Sequence, residues 1–152
     1  MVNILNLEPD ETITALLPVE NFNDAKFCAL ATKLGRIKRV PMSDFASVRP
    51  SGLIAIRLND GDELGWVSMT SGQNDLLLVT RKGKALRFHE KQVRPTGRTT
   101  MGVTGITLRG DDHVAALEVA EPEGYLFVLT EKGQGKRTPL DEYIPKTRGT
   151  LG

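Results

Sequence analysis

The 152-residue sequence has little of what marks secreted, disulfide-stabilised or membrane-spanning proteins. It has one cysteine, Cys28, which excludes an intrachain disulfide framework and fits a reducing compartment. Its apolar runs, such as LLLV at 76–79, are far too short to span a bilayer. The first residues, MVNILNLEPDE, have no basic start and turn acidic at once, unlike a signal peptide. These absences predict a cytoplasmic protein that has no membrane partner.

Aromatic residues and helical periodicity are also scarce. Aromatic side chains make up 5% of the sequence, whereas 15 glycines and 8 prolines indicate many turns. Short runs rich in Val, Ile, Leu and Thr, bounded by Gly, Asn, Asp and Pro, are typical of strands. In the middle of the chain they predict strands at 64–70, 75–81, 84–90 and 102–108. LLLV suits a strand buried on both faces, and KALRF suits one nearer an edge. The predicted fold class is therefore all-β.

The most informative feature of the sequence is an internal repeat. The strings TKLGRIKRV, TRKGKALRF and TEKGQGKRT begin at residues 32, 80 and 130, each with Gly in fourth place and Arg in eighth. The Gly fits a two-residue hairpin loop that needs a positive φ. A second pair of strings, LIAIRLNDGDEL at 53–64 and VTGITLRGDDHV at 103–114, keeps a step of 50 residues. Self-similarity at such a period predicts a repeat architecture.

A four-stranded antiparallel blade of this length cannot bury both faces alone. Neighbouring blades therefore pack radially into a propeller-like array. We predict one repeat domain over 1–152, with approximate repeats at 14–58, 64–108 and 114–152, and with 1–13 completing a preceding blade. Because three repeats are few to close a ring, we expect the chain to be a piece of a longer array.

The net charge is only +1, but lysine and arginine are sorted by position in the repeat. Windows 26–49, 76–98 and 129–148 hold 18 of the 20 basic residues against five acidic ones, a balance of +13. The other residues carry a balance of −12. Solvation of surface strands is the simpler explanation, but it would not sort the signs by position. Cations repeated in every blade would instead form a track that binds phosphates without reading sequence.

We expect these cations to form one basic rim, with the acidic turns NDGDE and RGDD facing away from DNA. Aromatic residues do not alternate with the cations as in single-strand binders, so duplex DNA is favoured. The predicted DNA-binding residues are Arg36, Lys38, Arg39, Arg49, Lys82, Lys84, Arg87, Arg94, Arg98, Lys132, Lys136, Arg137 and Arg148. Arg39, Arg87 and Arg137 are the expected exceptions, because a strictly repeated arginine also suits a repeated ion pair with the next blade.

The sequence lacks the marks of an enzyme. It has no phosphate loop of the P-loop type, no G-x-S-x-G and no metal-ligand cluster. We therefore predict no catalytic residue, no metal site and no cofactor. Tyr125, within YLFVLT, is predicted to pack in the core, and Trp66, within LGWVSM, in the core or between blades.

Three distinctive stretches carry a resemblance that runs through essentially all 152 residues: ITALLPVENF at 13–22, the run from 49 to 114, and GQGKRTPLDEYIPKTRGTLG at 133–152. They resemble the C-terminal domain of the DNA gyrase A family. The resemblance implies a β-pinwheel, in which four-stranded blades form a disc or shallow spiral and duplex DNA wraps around a basic rim. It also implies a non-catalytic domain of an ATP-dependent type II topoisomerase that introduces negative supercoils. The implied partners are the N-terminal domains of gyrase A and the whole of gyrase B, at the bacterial nucleoid.

The family's seven-residue box, Gln-Arg-Arg-Gly-Gly-Lys-Gly, does not occur in this sequence. Its degenerate counterparts, TGRTTMG at 96–102 and KTRGTLG at 146–152, keep an arginine, Arg98 and Arg148, and the last glycine. Two alternatives stay open. One is the related C-terminal domain of topoisomerase IV, and the other is a propeller that acts as a protein-interaction platform.

Overall fold

The computed structural model describes residues 7–22, 26–47 and 51–152, which form strands and short 3-10 turns without any α-helix. The strands are β1 (Phe27–Thr32), β2 (Arg36–Pro41), β3 (Leu64–Thr70), β4 (Asp75–Thr80), β5 (Ala85–His89), β6 (Val103–Thr104), β7 (Val114–Ala120), β8 (Tyr125–Leu129) and β9 (Gly135–Pro139). The 3-10 turns lie at Met42–Phe45, Glu90–Gln92 and Leu140–Glu142. The all-β prediction is confirmed. In this part of the chain no helix has the length and apolarity needed to cross a membrane.

The strands form three antiparallel sheets, and two of these sheets take strands from more than one repeat. Hairpins join β1 to β2, β4 to β5 and β8 to β9. The strand order is β3-β1-β2-β6 in the first sheet, β5-β4-β7 in the second and β8-β9 in the third. Thus β3 pairs with β1 and β7 pairs with β4, each coming from the following repeat. β6, which follows β5 in the chain, returns to pair with β2.

Most of the predicted strands occur where the pattern places them, but the one at 102–108 is much shorter. Only Val103–Thr104 pairs as a strand. After it, the N–H of Gly105 donates to the carbonyl of Gly35 at 2.7 Å, and the N–H of Thr107 donates to the carbonyl of Thr150 at 3.0 Å. These bonds go to a turn and a loop, so the ladder ends early.

The core lies between the sheets and centres on β4. Leu76 and Leu78 pack in one cluster with Ile37 of the first sheet, and Leu77 packs on the opposite face with Leu140. All three leucines of β4 are fully buried, and burial of each contributes roughly 2 kcal/mol. β4 is thus the strand covered on both faces, and β5 lies at the edge of its sheet, as the sequence predicts.

The third sheet is the most exposed. Tyr125 is 56% exposed, so the prediction that it packs in the core is wrong. Within residues 7–22, 26–47 and 51–152, no further strand pairs with β8 or β9. Trp66, by contrast, packs against the central cluster as predicted. Residues 7–22 contain no strand, and residues 1–6 of the predicted preceding blade lie outside the described residues.

Candidate nucleic-acid interface

Each basic string begins with a threonine that closes a tight hairpin. The hydroxyl of Thr32 accepts a hydrogen bond from the N–H of Arg36 at 3.1 Å, and its carbonyl accepts one from Gly35 at 3.1 Å. Gly35 has a φ of 85°, in the left-handed region that glycine favours. The same bonds and a positive φ recur in the other two strings, at Thr80 with Gly83 and at Thr130 with Gly133. The Thr-x-x-Gly spacing therefore repeats because it builds the turn.

The acidic turn that precedes the following repeat caps the hairpin. Oδ1 of Asp112 accepts the backbone N–H of Lys82 at 3.0 Å and that of His113 at 2.9 Å. Burial raises the pKa of Asp112, but hydrogen bonds from Thr80, Lys82 and His113 outweigh burial and hold the pKa below its usual value. Asp62 caps the first hairpin in the same way, with both bonds at 2.9 Å.

Acidic and basic turns consequently lie side by side. The antiparallel pairing of β3 with β1 places the turn before β3 next to the hairpin after β1. Lys33 forms an ion pair with Glu63, and Lys82 forms one with Asp111. The hydrogen bond from Lys82 is the main cause that lowers the pKa of Asp111. At these two turns acidic side chains therefore lie beside basic ones, which argues against the expectation that the acidic turns are kept apart from a basic surface that faces DNA.

Lys38, on β2, points into the protein. It is 1% exposed, and its ammonium group donates to the carbonyls of Ala55 at 2.9 Å, Thr100 at 3.1 Å and Arg98. These three bonds use all of its N–H donors. Burial, followed by the nearby charge of Arg98, lowers the pKa of Lys38 to about 8, against an opposing effect of Asp44. Lys38 is therefore not available to a phosphate.

Arg36 and Arg39 hold the same stretch of chain, residues 93–102, which we call the inter-sheet loop. This loop leads from the second sheet back to β6 in the first. Arg36 donates to two carbonyls at one end of the loop, at 3.2 and 2.5 Å, and Arg39 donates to the carbonyl of Val93 at the other, at 2.9 Å. Together with Lys38, the cations of β2 hold both ends and the middle of the loop.

Arg39 also forms a buried ion pair with Glu90, and its Nη1 lies 2.8 Å from Oε2. Glu90 is fully buried and further accepts hydrogen bonds from the hydroxyl of Thr70 at 2.7 Å and from the N–H groups of Gly72 and Asn74 at 2.8 Å. Burial raises the pKa of Glu90, but these bonds and the charge of Arg39 outweigh burial and lower it. Arg39 thus makes the contact with the following repeat that a strictly repeated arginine was expected to make.

The equivalent arginines of the other strings have different partners. Arg87 donates through Nε to Asp75 at 2.8 Å and through Nη1 to the carbonyl of Leu140 at 2.7 Å. Arg137 is exposed, and its guanidinium lies 4.5 Å from the centroid of the Tyr125 ring, in a cation–π contact. The position is therefore structural in two strings, and in the third the cation stays at the surface.

The arginines of the two degenerate boxes bond back to earlier backbone. Arg98 donates to the carbonyl of Ile54 at 3.3 Å, and Arg148 donates to the equivalent carbonyl of the next repeat, that of Thr104. Arg148 also donates to Gln92 through Nε at 3.0 Å and through its backbone N–H at 2.7 Å. Both side chains are half-buried, so part of each guanidinium still faces solvent.

Comparison with known proteins identifies the family. The family model described as the DNA gyrase C-terminal domain, a β-propeller, matches residues 27–71, 74–121 and 124–152. The chain belongs to the DNA gyrase C-terminal domain family. Over its whole length it is 45% identical to DNA gyrase A of Salmonella typhimurium and 43% identical to that of Escherichia coli. The chain spans 17% of the length of each of these two gyrase proteins.

Solved structures show the same fold. The C-terminal domain of DNA topoisomerase IV matches with a TM-score of 0.89 at 30% identity, over 99% of this chain and 47% of that one. The DNA gyrase A C-terminal domain matches with a TM-score of 0.87 at 29% identity, over 97% of this chain and 49% of that one. The predicted propeller-like β-pinwheel is therefore confirmed, although of the three sheets in the described residues only the first has the predicted four strands.

As a gyrase C-terminal domain, the chain presents fewer free cations than its sequence suggests. Lys38 is buried, which corrects its assignment to an exposed rim, and Arg39 is buried as one of the expected exceptions. Arg49 lies outside the described residues. The half-buried cations with internal hydrogen bonds are Arg36, Arg87, Arg98 and Arg148. The exposed cations with one side-chain partner are Lys82 and Arg137. The exposed cations whose side chains form no hydrogen bond or ion pair with described residues are Lys84, Arg94, Lys132 and Lys136.

Four further cations are exposed and have no side-chain partner among the described residues: Lys26, Arg57, Arg109 and Lys146. All four lie outside the three Thr-x-x-Gly strings; Lys26 and Lys146 fall within the basic windows, whereas Arg57 and Arg109 fall outside them. Within the same described part of the gyrase-type chain, no group of three or more His, Cys, Asp or Glu residues could hold a metal ion.

Proposed function

We propose that the chain binds duplex DNA without reading its sequence, as part of the domain of gyrase A around which DNA wraps. The observation that carries the proposal is a gyrase-family β-pinwheel whose repeats leave exposed cations with no side-chain partner among the described residues: Lys84, Arg94, Lys132 and Lys136. Each phosphate that such a cation neutralises releases counterions, and this favours binding of any duplex sequence. Many such contacts offset the several kcal/mol that bending DNA requires.

The role in the whole enzyme follows from the family. Together with the N-terminal domains of gyrase A and with gyrase B, the chain would support ATP-dependent negative supercoiling at the bacterial nucleoid, in the cytoplasm. The chain itself would bind and not catalyse. Topoisomerase IV is the second candidate, because the C-terminal domain of that enzyme matches with a TM-score of 0.89. Identity of 45% to gyrase A over the whole chain favours gyrase.

The test is a salt titration of binding to a random duplex of about 40 base pairs. If about four to six phosphates are engaged, log affinity should fall with log salt at a slope of roughly −4 to −5. Replacing Lys84 and Arg94 together by Ala should reduce the magnitude of the slope by about 2. Lys82→Ala should change the slope by less than about 1, because Lys82 is already paired with Asp111.

The matched control is the pair Arg57→Ala and Arg109→Ala. It removes the same charge from exposed positions whose side chains have no partner in the described part of the chain, but these positions lie in the acidic part of the repeat. The magnitude of the salt slope should then fall by much less than it does when Lys84 and Arg94 are replaced. No binding at the lowest salt would refute the proposal. A slope near zero with binding intact would refute the charge argument and favour a protein-interaction platform.

A further inference from the structure

The inter-sheet loop and the loop at 143–152 dock on the sheets in the same way. The N–H of Thr96 donates to the carbonyl of Arg39 at 2.9 Å, and that of Lys146 donates to the carbonyl of Arg87 at 2.8 Å. Glycines of the two loops approach the first residues of β2 and β5 so closely that an added Cβ would clash with the backbone. The two loops are thus equivalent in position.

The residue beneath the two loops differs. In the ladders, Lys38 lies opposite Leu30, and Leu86 occupies the same place opposite Leu78. Both Lys38 and Leu86 are buried. Only the inter-sheet loop therefore has a cation beneath it, and that cation bonds to two of its carbonyls, of Arg98 and Thr100, and to the carbonyl of Ala55.

The loop held in this way carries cations that face solvent. Arg94 is exposed, and its side chain bonds to no described residue. Arg98 uses one of its five N–H donors for the carbonyl of Ile54, which leaves the others for a phosphate oxygen. A buried ammonium group that stays fully hydrogen-bonded fixes the backbone from which these two side chains extend, and so reduces the ordering needed when DNA binds.

We infer that Lys38 is a positioning residue for DNA contact, which from inside the protein holds the inter-sheet loop so that Arg94 and Arg98 reach phosphate. The inference rests on the proposed function. It assigns a role to a cation that cannot touch DNA itself, since its side chain is 1% exposed.

The test uses Lys38→Leu in the 152-residue chain, because Leu86 shows that this fold accepts leucine at the equivalent place. The amide of Thr96 should exchange with solvent at least about tenfold faster, as expected for the loss of one hydrogen bond to a charged group. The amide of Lys146, in the loop without a lysine beneath it, should not change. Far-UV circular dichroism checks that the sheets persist.

The second readout is DNA binding. Lys38→Leu should reduce the magnitude of the salt slope by about 2, as should Arg94→Ala with Arg98→Ala. All three changes together should lower it no further, because residues that act as a unit are not additive. If Lys38→Leu fails to fold, lysine-specific modification of the wild-type chain replaces it. Lys38 should then stay unmodified with and without DNA, while DNA protects Lys84.

Three outcomes would overturn the inference. Unchanged exchange at Thr96 would mean that Lys38 does not hold the loop. Faster exchange with an unchanged slope would mean that the loop is not part of the DNA surface. Modification of Lys38 that DNA blocks would make it a direct contact. Failure of the wild-type chain to bind DNA would instead refute the proposed function, and the exchange at Thr96 would still show whether Lys38 holds the loop.

Discussion

The guanidinium group of Arg39 lies 2.8 Å from the carboxylate of Glu90, between the first sheet and the second. Arg39 belongs to β2, and Glu90 follows β5 in the next repeat. Glu90 is fully buried and Arg39 is almost so, and the carboxylate depends on Arg39 and on surrounding N–H and hydroxyl donors. The pair therefore fixes how the two sheets sit against each other.

Arg39→Met should destabilise the chain by about 3–5 kcal/mol, because it leaves Glu90 buried without its counter-charge. The measurement is equilibrium unfolding in urea. The control is Arg81→Met, which breaks the exposed Arg81–Glu131 pair and should cost less than about 1 kcal/mol. Equal losses in the two variants would show that burial does not set the strength of the Arg39–Glu90 pair.

Acid pH should lower the unfolding free energy of the wild-type chain, because Glu90 becomes protonated. The folded-state pKa of Glu90 lies below its reference value of 4.5, so the stabilisation is complete above that pH and is lost as pH falls through the folded-state pKa. The difference in unfolding free energy between the wild type and Glu90→Gln should therefore be constant near neutral pH and shrink below about 4.5. A difference that does not vary between neutral and acid pH would contradict this assignment.

Lys38 should add a second rise of stability with pH, at alkaline pH. Its pKa is about 8 in the folded chain against a reference value of 10.5, so between these values the unfolded chain binds more protons. Stability should then rise with pH across that window in the wild type, relative to Lys38→Leu. Parallel stability curves for the two proteins from pH 8 to 10.5 would mean that burial does not lower this pKa.

Glycines of the turns and of the inter-sheet loop should differ in their tolerance of a side chain. Gly83 has a φ of 81° and open space around it, so Gly83→Val should cost about 1–3 kcal/mol through backbone strain alone. Gly102→Val should cost more, because its Cβ would also clash with the carbonyl of Ile37 and lie 2.9 Å from Cβ of Lys38. Gly97→Ala, at an open site without positive φ, is the neutral control. Thermal unfolding would rank the three variants.

Much of the fold follows from the sequence because its determinants are local. The Thr-x-x-Gly turns and the strand that contains Leu77 depend on neighbours in the chain, and both are predicted correctly. The early end of the strand Val103–Thr104 is not, because the N–H groups of Gly105 and Thr107, which follow it, bond to carbonyls of distant segments.

The position and the partners of each basic side chain depend on strands that join its sheet from another repeat. Nothing near Lys38 in sequence shows that the carbonyls of the inter-sheet loop will lie above it. Alignment of the repeats holds one clue, since the equivalent residue of the second string is Leu86, a side chain that belongs in a core, although that of the third string is the exposed Lys136. The pairing of Lys82 with Asp111 has no such signal, because charge patterns along a chain do not tell which turns become neighbours.

The exchange of strands between repeats also constrains how such a protein can be made. The first sheet is complete only when β6 reaches β2, after the whole second hairpin has been synthesised. Until then, a nascent chain leaving the ribosome carries an open strand edge, the kind of surface that pairs with other unfinished chains. The pairing of strands from different repeats also limits how the gene can lengthen. A tandem duplication preserves every sheet only when its two breakpoints fall at equivalent places, so viable insertions come in whole repeats.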